Sequence, residues 1–242
     1  MNLQQKLIVL AAVAGLGSAS PAFAQVANST PGNLVVNGSM DFVDASGNPS
    51  GQGGDHAAGD PSAQLTGWTF LNTGSTAEYW VSFQGQASAD GGSYLGVQDL
   101  DAFLPRVNVQ GVMQTISGLT VGDTYSLSFW SMSNHDGHGF LQDWQVSFGG
   151  QTATGQQTTP NADDFSGTWV QSTMSFTASS TSQALTFLAQ YLPGSVPEML
   201  NLDGVVLKDV TVTSTVPEPS SWAMLLAALG GALAVARLRR PR

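Results

Sequence analysis

Apolar and polar residues alternate in short runs along most of this chain. In Thr124-Tyr125-Ser126-Leu127-Ser128-Phe129 the apolar side chains fall two apart, and Val170, Met174 and Phe176 do the same against Gln171, Thr173, Ser175 and Thr177. A period of two lines one face of a strand that is buried on one side and wet on the other. Leu185, Phe187, Ala189 and Tyr191 repeat the pattern, and shorter strands are predicted at residues 34–36, 68–70, 79–83, 94–98, 112–116, 144–148 and 205–212. Gly118, Val121-Gly122-Asp123, Gly149-Gly150 and Pro193-Gly194 supply turns between them. Residues 47–61, rich in Gly, Ser, Asp and Pro, and residues 152–160 are predicted to be loops. About ten strands without a convincing amphipathic helix predict an all-β sandwich rather than a parallel α/β sheet.

The two ends break this pattern. Lys6 precedes an apolar run at residues 7–16 that is too short to span a bilayer, and Ala22-Phe23-Ala24 fits a small-x-small cleavage site. Residues 1–24 are therefore expected to be a secretory signal peptide, cut by signal peptidase between Ala24 and Gln25 after engaging the secretion machinery. At the other end Pro217-Glu218-Pro219 precedes an apolar stretch, Ser220 to Ala236, and then Arg237, Arg239 and Arg240. As a helix that stretch would extend about 25 Å, near the short limit for a membrane span, with the arginines reaching back to the interface. Arginines on one flank only would hold the C-terminus in the cytoplasm and the body outside. The expected organisation is a signal peptide at 1–24, a β-sandwich at 25–215 and a C-terminal tail with a transmembrane helix at 216–242.

Composition narrows the function. Charged residues make up 10% of the 242 positions, against roughly 25% in an ordinary soluble chain. Of the 17 acidic residues all but Glu218 precede the tail, while the body between Gln25 and Pro217 holds only Arg106 and Lys208 as basic residues. Phosphate contacts need Lys or Arg, so nucleic acid and anionic lipid are excluded as partners of the body. The absence of cysteine removes disulfides, thiolate metal sites and cysteine nucleophiles.

Catalytic constellations are also missing. No Gly-x-Ser-x-Gly elbow occurs. Asn134-His135-Asp136-Gly137-His138 brings two imidazoles and a carboxylate together, but no third fixed zinc ligand accompanies them. Asp163 and Asp164 would point apart on an extended chain, and Asp99-Leu100-Asp101 lacks the rest of a calcium loop, so no carboxylate pair suited to glycoside hydrolysis emerges. A non-enzymatic role is expected. The aromatic inventory suits a binder: tryptophan or tyrosine rings stack on the apolar face of a pyranose while amides and carboxylates bond its hydroxyls. Trp80 and Trp144, each beside polar residues at a predicted strand end, are the candidate carbohydrate-binding rings.

Two resemblances follow from residues already quoted or adjacent to them. The tail, with its Pro217-Glu218-Pro219 motif, apolar helix and basic end, resembles the PEP-CTERM sorting signal of Gram-negative bacteria. That resemblance implies recognition by an exosortase-type membrane protease, transient anchoring in the inner membrane, and delivery to the cell surface or extracellular matrix. A permanent membrane anchor is the alternative that the residues alone leave open. In the body, residues 33–41 (Asn-Leu-Val-Val-Asn-Gly-Ser-Met-Asp), Gly67-Trp68-Thr69, residues 114–129 and Leu202-Asp203-Gly204-Val205 come in an order that resembles the galactose-binding-like jelly rolls, including family-four-type carbohydrate-binding modules. The resemblance implies a jelly-roll β-sandwich and a structural calcium at Asp41 and Asp203. Calcium takes six to eight oxygens, which two carboxylates and carbonyls of the Asn37-Gly38 turn would begin to supply. The expected function is that of an exported, non-enzymatic surface or matrix protein that binds polysaccharide. A structural or adhesion protein without a glycan site, and a secreted hydrolase, are the alternatives.

Overall fold

The computed structural model describes residues 26–50, 54–56, 60–72, 77–82, 86–99, 110–134, 141–158, 166–191, 199–211, 224 and 226–229. The expected cleavage site at Ala24 and Gln25, the Pro217-Glu218-Pro219 motif, His135 and His138, and Asp163 and Asp164 lie outside these residues. The chain divides into two units, Met1–Asp209 and Val210–Arg242. In the second, Met224 and residues 226–229 are helical. Among the described residues no helix is long and apolar enough to cross a membrane.

The first unit is built on strands that pair antiparallel. One sheet has five, in the order β10 (Gln151–Thr154), β9 (Gln142–Phe148), β12 (Ser182–Tyr191), β7 (Gln110–Ser117) and β4 (Thr69–Asn72). The other has six: β11 (Val170–Thr177), β8 (Thr124–Asn134), β13 (Met199–Asp209), β6 (Leu95–Asp99), β5 (Ala77–Val81) and β2 (Gly54–His56). A two-stranded ribbon, β1 (Phe42–Val43) with β3 (Gln64–Leu65), and a single turn of helix, α1 (Val26–Ser29), complete the described elements.

Alternation along the strands places one apolar row of each sheet against the other. Phe129 of β8 meets Phe187 of β12 edge-on at 5.1 Å, Phe176 of β11 lies 5.8 Å from Phe148 of β9, and Tyr79 of β5 lies 4.0 Å from Phe70 of β4. The Trp144 Nε1 donates across this core to the Asn201 carbonyl of β13 at 3.1 Å. Burial of these large rings is the main stabilising term, at about 25 cal/mol per Å² of apolar surface. The architecture is the all-β sandwich that the alternation predicts, in the jelly-roll form that the family resemblance implies.

Three local expectations are corrected. Residues 34–36 form no strand: Leu34 N bonds Leu207 O at 2.9 Å, but Val35 N and Val36 N are taken by the side chains of Asn33 and Gln114, which bends the run into the Asn37-Gly38 turn. The predicted loop at 47–61 contains β2, whose Asp55 pairs with Trp80. The connection at 152–160 begins inside β10, a hairpin partner of β9 closed by Gly149 and Gly150, both at positive φ.

Candidate functional site

Asp41 and Asp203 are tied to one short segment, residues 88–93. The Ser93 N–H donates to Asp41 Oδ1 at 3.0 Å. Asp203 Oδ2 accepts from Ser88 Oγ at 2.5 Å and from the Asp90 N–H at 3.0 Å, and Oδ1 accepts from the Gly204 N–H at 2.7 Å. Asp203 stands at an irregularity of β13 between Asp203 and Val206, with Gly204 at φ 55. The bulge turns Val205 N–H to the Gly38 carbonyl at 2.7 Å, and a Cβ on Gly38 would meet Val205 O at 2.1 Å. Only glycine fits where the first turn meets the last strand.

Between them sits a third carboxylate that sequence reasoning missed. Asp90 accepts the Ala27 N–H on both oxygens at 3.0 Å, and the Ser39 Oγ donates to its Oδ2 at 2.5 Å. Its charge bears on both Asp41 and Asp203. Burial raises the Asp41 carboxyl above the usual carboxylate range and raises that of Asp203 to about 7, with the bonds from Ser88, Asp90 N and Gly204 N pulling the other way. The only local signal for Asp90 was the Asp-Gly-Gly turn, in which Gly91 and Gly92 both take positive φ.

These residues suit a hard cation in one respect. Asp41 Oδ2 is buried and accepts no hydrogen bond, and Asp41 lines a cavity of about 240 Å³ with Ser93, Gly92 and Ser50. An unpaired buried carboxylate oxygen is costly unless a proton or cation reaches it. Asp203, in contrast, already accepts three protein donors. Among the described residues, no three His, Cys, Asp or Glu side chains are arranged to hold one ion.

Of the two candidate sugar-stacking rings, Trp144 is corrected outright. It is 0% exposed, lies edge-on to Phe187 at 6.1 Å and spends its Nε1 on Asn201, so neither face can meet a ligand. The polar residues beside it in sequence point to the other side of β9. Trp80 is half-buried on the outer face of the six-stranded sheet, in register with Gly96, Asn201 and Met132. The middle of that face is closed, since Asn201 and Met132 are both 0% exposed.

The outer face of the five-stranded sheet is open. One row runs Thr154, Gln145, Leu188, Gly111, Leu71 across all five strands, and the next runs Thr152, Ser147, Thr186, Met113, Thr69. Thr69, Thr152 and Thr154 are exposed, and every other member except Gly111 is partly buried with some surface open to solvent. A neighbouring pair, Asp143 and Gln190, supplies its carboxylate. Burial raises the Asp143 carboxyl, opposed by a hydrogen bond from the Gln157 side chain. The face is thus an apolar strip of Leu71, Met113 and Leu188 bordered by amides and hydroxyls, roughly 19 Å across at ~4.8 Å per strand.

The chain is similar in structure, at low identity, to several solved proteins. TmCBM61, solved with β-1,4-galactotriose, is 11% identical with a TM-score of 0.41, over 60% of this chain and 90% of that one. The CBM22-1 xylan-binding domain of Paenibacillus barcinonensis is 14% identical with a TM-score of 0.38, over 68% and 100%. The enzymatically active domain of tailspike protein 4 of bacteriophage CBA120 is 14% identical with a TM-score of 0.42, and this chain spans 21% of its length. No curated protein matches the chain in sequence. Residues 215–240 match the PEP-CTERM protein-sorting motif, and with it this chain is an exported protein, sorted to the cell envelope, whose body is a jelly-roll β-sandwich.

Proposed function

We propose that the body is a non-catalytic polysaccharide-binding domain that an exosortase-type protease delivers to the cell surface or extracellular matrix, and that the outer face of the five-stranded sheet is where it binds. The observation that carries this reading is the chemistry of that face. In a strongly acidic chain its two central rows hold no charge, and they combine an apolar strip with the amide of Gln145 and the hydroxyls of Thr186 and Ser147. A pyranose ring presents the same mixture, apolar C–H faces and a rim of hydroxyls, so both halves of the contact are satisfied together. Trp80 offers a second contact, because it is only partly buried on the outer face of the other sheet.

Calcium belongs to the same proposal. Asp41 and Asp203 would hold it, with support from the orphaned Asp41 Oδ2 and from the third carboxylate, Asp90, close by. The ion would neutralise buried negative charge and tie the first turn to the last strand.

Affinity electrophoresis in gels cast with individual polysaccharides tests the function. The parent protein is expected to be retarded by at least one glycan, and Gln145→Ala with Leu188→Ala to lose most of that retardation at an unchanged fold. Loss on Trp80→Ala alone would move the site to the six-stranded sheet. If no polysaccharide retards the parent, the domain is a structural or adhesion module instead.

A further inference from the structure

Open sheet edges invite strand addition, and proteins usually blunt them with charge, proline or brevity. Among the described residues, three of the four outer strands of the two large sheets are brief: β10 and β4 have 4 residues each and β2 has 3. The fourth, β11, has 8 residues, Val-Gln-Ser-Thr-Met-Ser-Phe-Thr, with neither a charge nor a proline. Among the described residues its full length pairs with β8 on one side and with no strand on the other.

Side-chain amides stand at both ends of its other side. Gln151 Nε2 donates to Thr177 O at 2.5 Å while Gln151 Oε1 accepts the Thr177 N–H at 3.1 Å, the same two bonds that one residue of an incoming antiparallel strand would make through its own N–H and C=O. At the far end Gln156 Nε2 donates to Gln171 O at 3.0 Å, and the Gln156 N–H bonds Ser172 Oγ at 2.8 Å. Thr177 turns its N–H to the open edge, so the two-residue repeat turns those of Ser175 and Thr173 the same way.

We propose that the β11 edge is a strand-addition site for a second copy of this chain, kept shut by the amides of Gln151 and Gln156. The occupant follows from charge. Two acidic bodies repel wherever their carboxylates meet, whereas β11 laid antiparallel on another β11 brings only Gln, Ser, Thr, Met, Val and Phe together. Both amides belong to exposed residues and their bonds are open to water, so the clasp yields to a competing strand without disturbing the core.

The test uses the full-length chain in mild detergent, with mass read by light scattering after size exclusion at two concentrations. The Gln151→Ala/Gln156→Ala variant is expected to at least double its weight-average mass relative to the parent as concentration rises. Adding Ser175→Pro removes one open-edge N–H that β8 does not use, and should return the mass to that of the parent. Amide exchange reads the same event independently: the Thr173 and Ser175 N–H groups should slow in the double variant at high concentration. An unchanged mass with unslowed exchange, or a mass increase that survives Ser175→Pro, overturns the proposal, the second by showing association through unfolded chain or another surface.

Discussion

Ser88 Oγ donates to Asp203 Oδ2 over 2.5 Å, joining residues 115 apart in sequence at a point where no water reaches the carboxylate. Three donors converge on this one side chain, yet burial still outweighs them and holds its pKa at about 7.

That balance fixes a pH dependence. An unfolded Asp titrates near 3.9, so between about 4 and 7 the native state holds a proton that the unfolded state has released. Stability therefore falls as pH rises through that window and changes no further above it. The Asp41 carboxyl, also raised by burial, adds in the same direction. In protein stripped with EDTA, the melting temperature is expected to be higher at pH 5 than at pH 8. Asp203→Asn should flatten the slope, and a parent protein that melts alike at both values would contradict the burial argument.

Calcium reverses the consequence. An ion that binds only the folded state adds RT ln(1 + [L]/Kd), about 2.7 kcal/mol at a hundredfold excess over Kd. Calorimetry with and without millimolar calcium at pH 7.5 should show a higher melting temperature with the ion, lost in Asp41→Asn. Equal curves in protein shown to have bound none would remove calcium from the site.

Trp144 separates packing from recognition. Truncation of a fully buried Trp to Ala costs about 3–5 kcal/mol, and Trp144→Phe, which leaves the Asn201 carbonyl without its donor, about 1–3 kcal/mol. Urea titration should resolve both, while glycan retardation of the folded Trp144→Phe protein stays at the parental level. A selective loss of retardation without loss of stability would restore Trp144 as a ligand contact.

The sorting motif is tested by a single carboxylate. A simple hydrophobic anchor has no use for Glu218, whereas a protease pocket that reads the triplet loses a charged partner on Glu218→Gln, at a cost of about 1–3 kcal/mol or more. In a host with an exosortase, the variant is expected to accumulate uncleaved in the inner membrane while the parent reaches the surface shortened. Identical fractionation of both at full length would make the tail an ordinary anchor.

The alternation of Thr124 to Phe129, and of Val170 to Thr177, made β8 and β11 legible because one sandwich face demands a strict period of two. Leu34-Val35-Val36 misled for the same reason: it is apolar and β-prone, but the side chains of Asn33 and Gln114 compete for its N–H groups, and that competition is invisible without Gln114 in place. Site residues were harder. Trp144 has polar neighbours, which signals only that β9 is wet on its other face. Gln145, Ser147, Thr186 and Met113 looked like ordinary solvent-facing positions, and only the register of β9, β12 and β7 assembles them into rows. Asp90 depends on Ala27, Ser39 and Asp203, partners scattered across the whole body.

The last of the described strands is not at an edge. β13 lies between β8 and β6, and the pairing of each with the rest of its half passes through it. A chain emerging N-terminus first can form the β9–β12–β7 pairings early, but its six-stranded sheet stays split into β11–β8 and β6–β5–β2 until Met199–Asp209 has crossed. Synthesis therefore leaves the body in two unjoined halves of one sheet until Met199–Asp209 has emerged, shortly before the sorting tail. Completion of the sandwich waits on the position of a single strand.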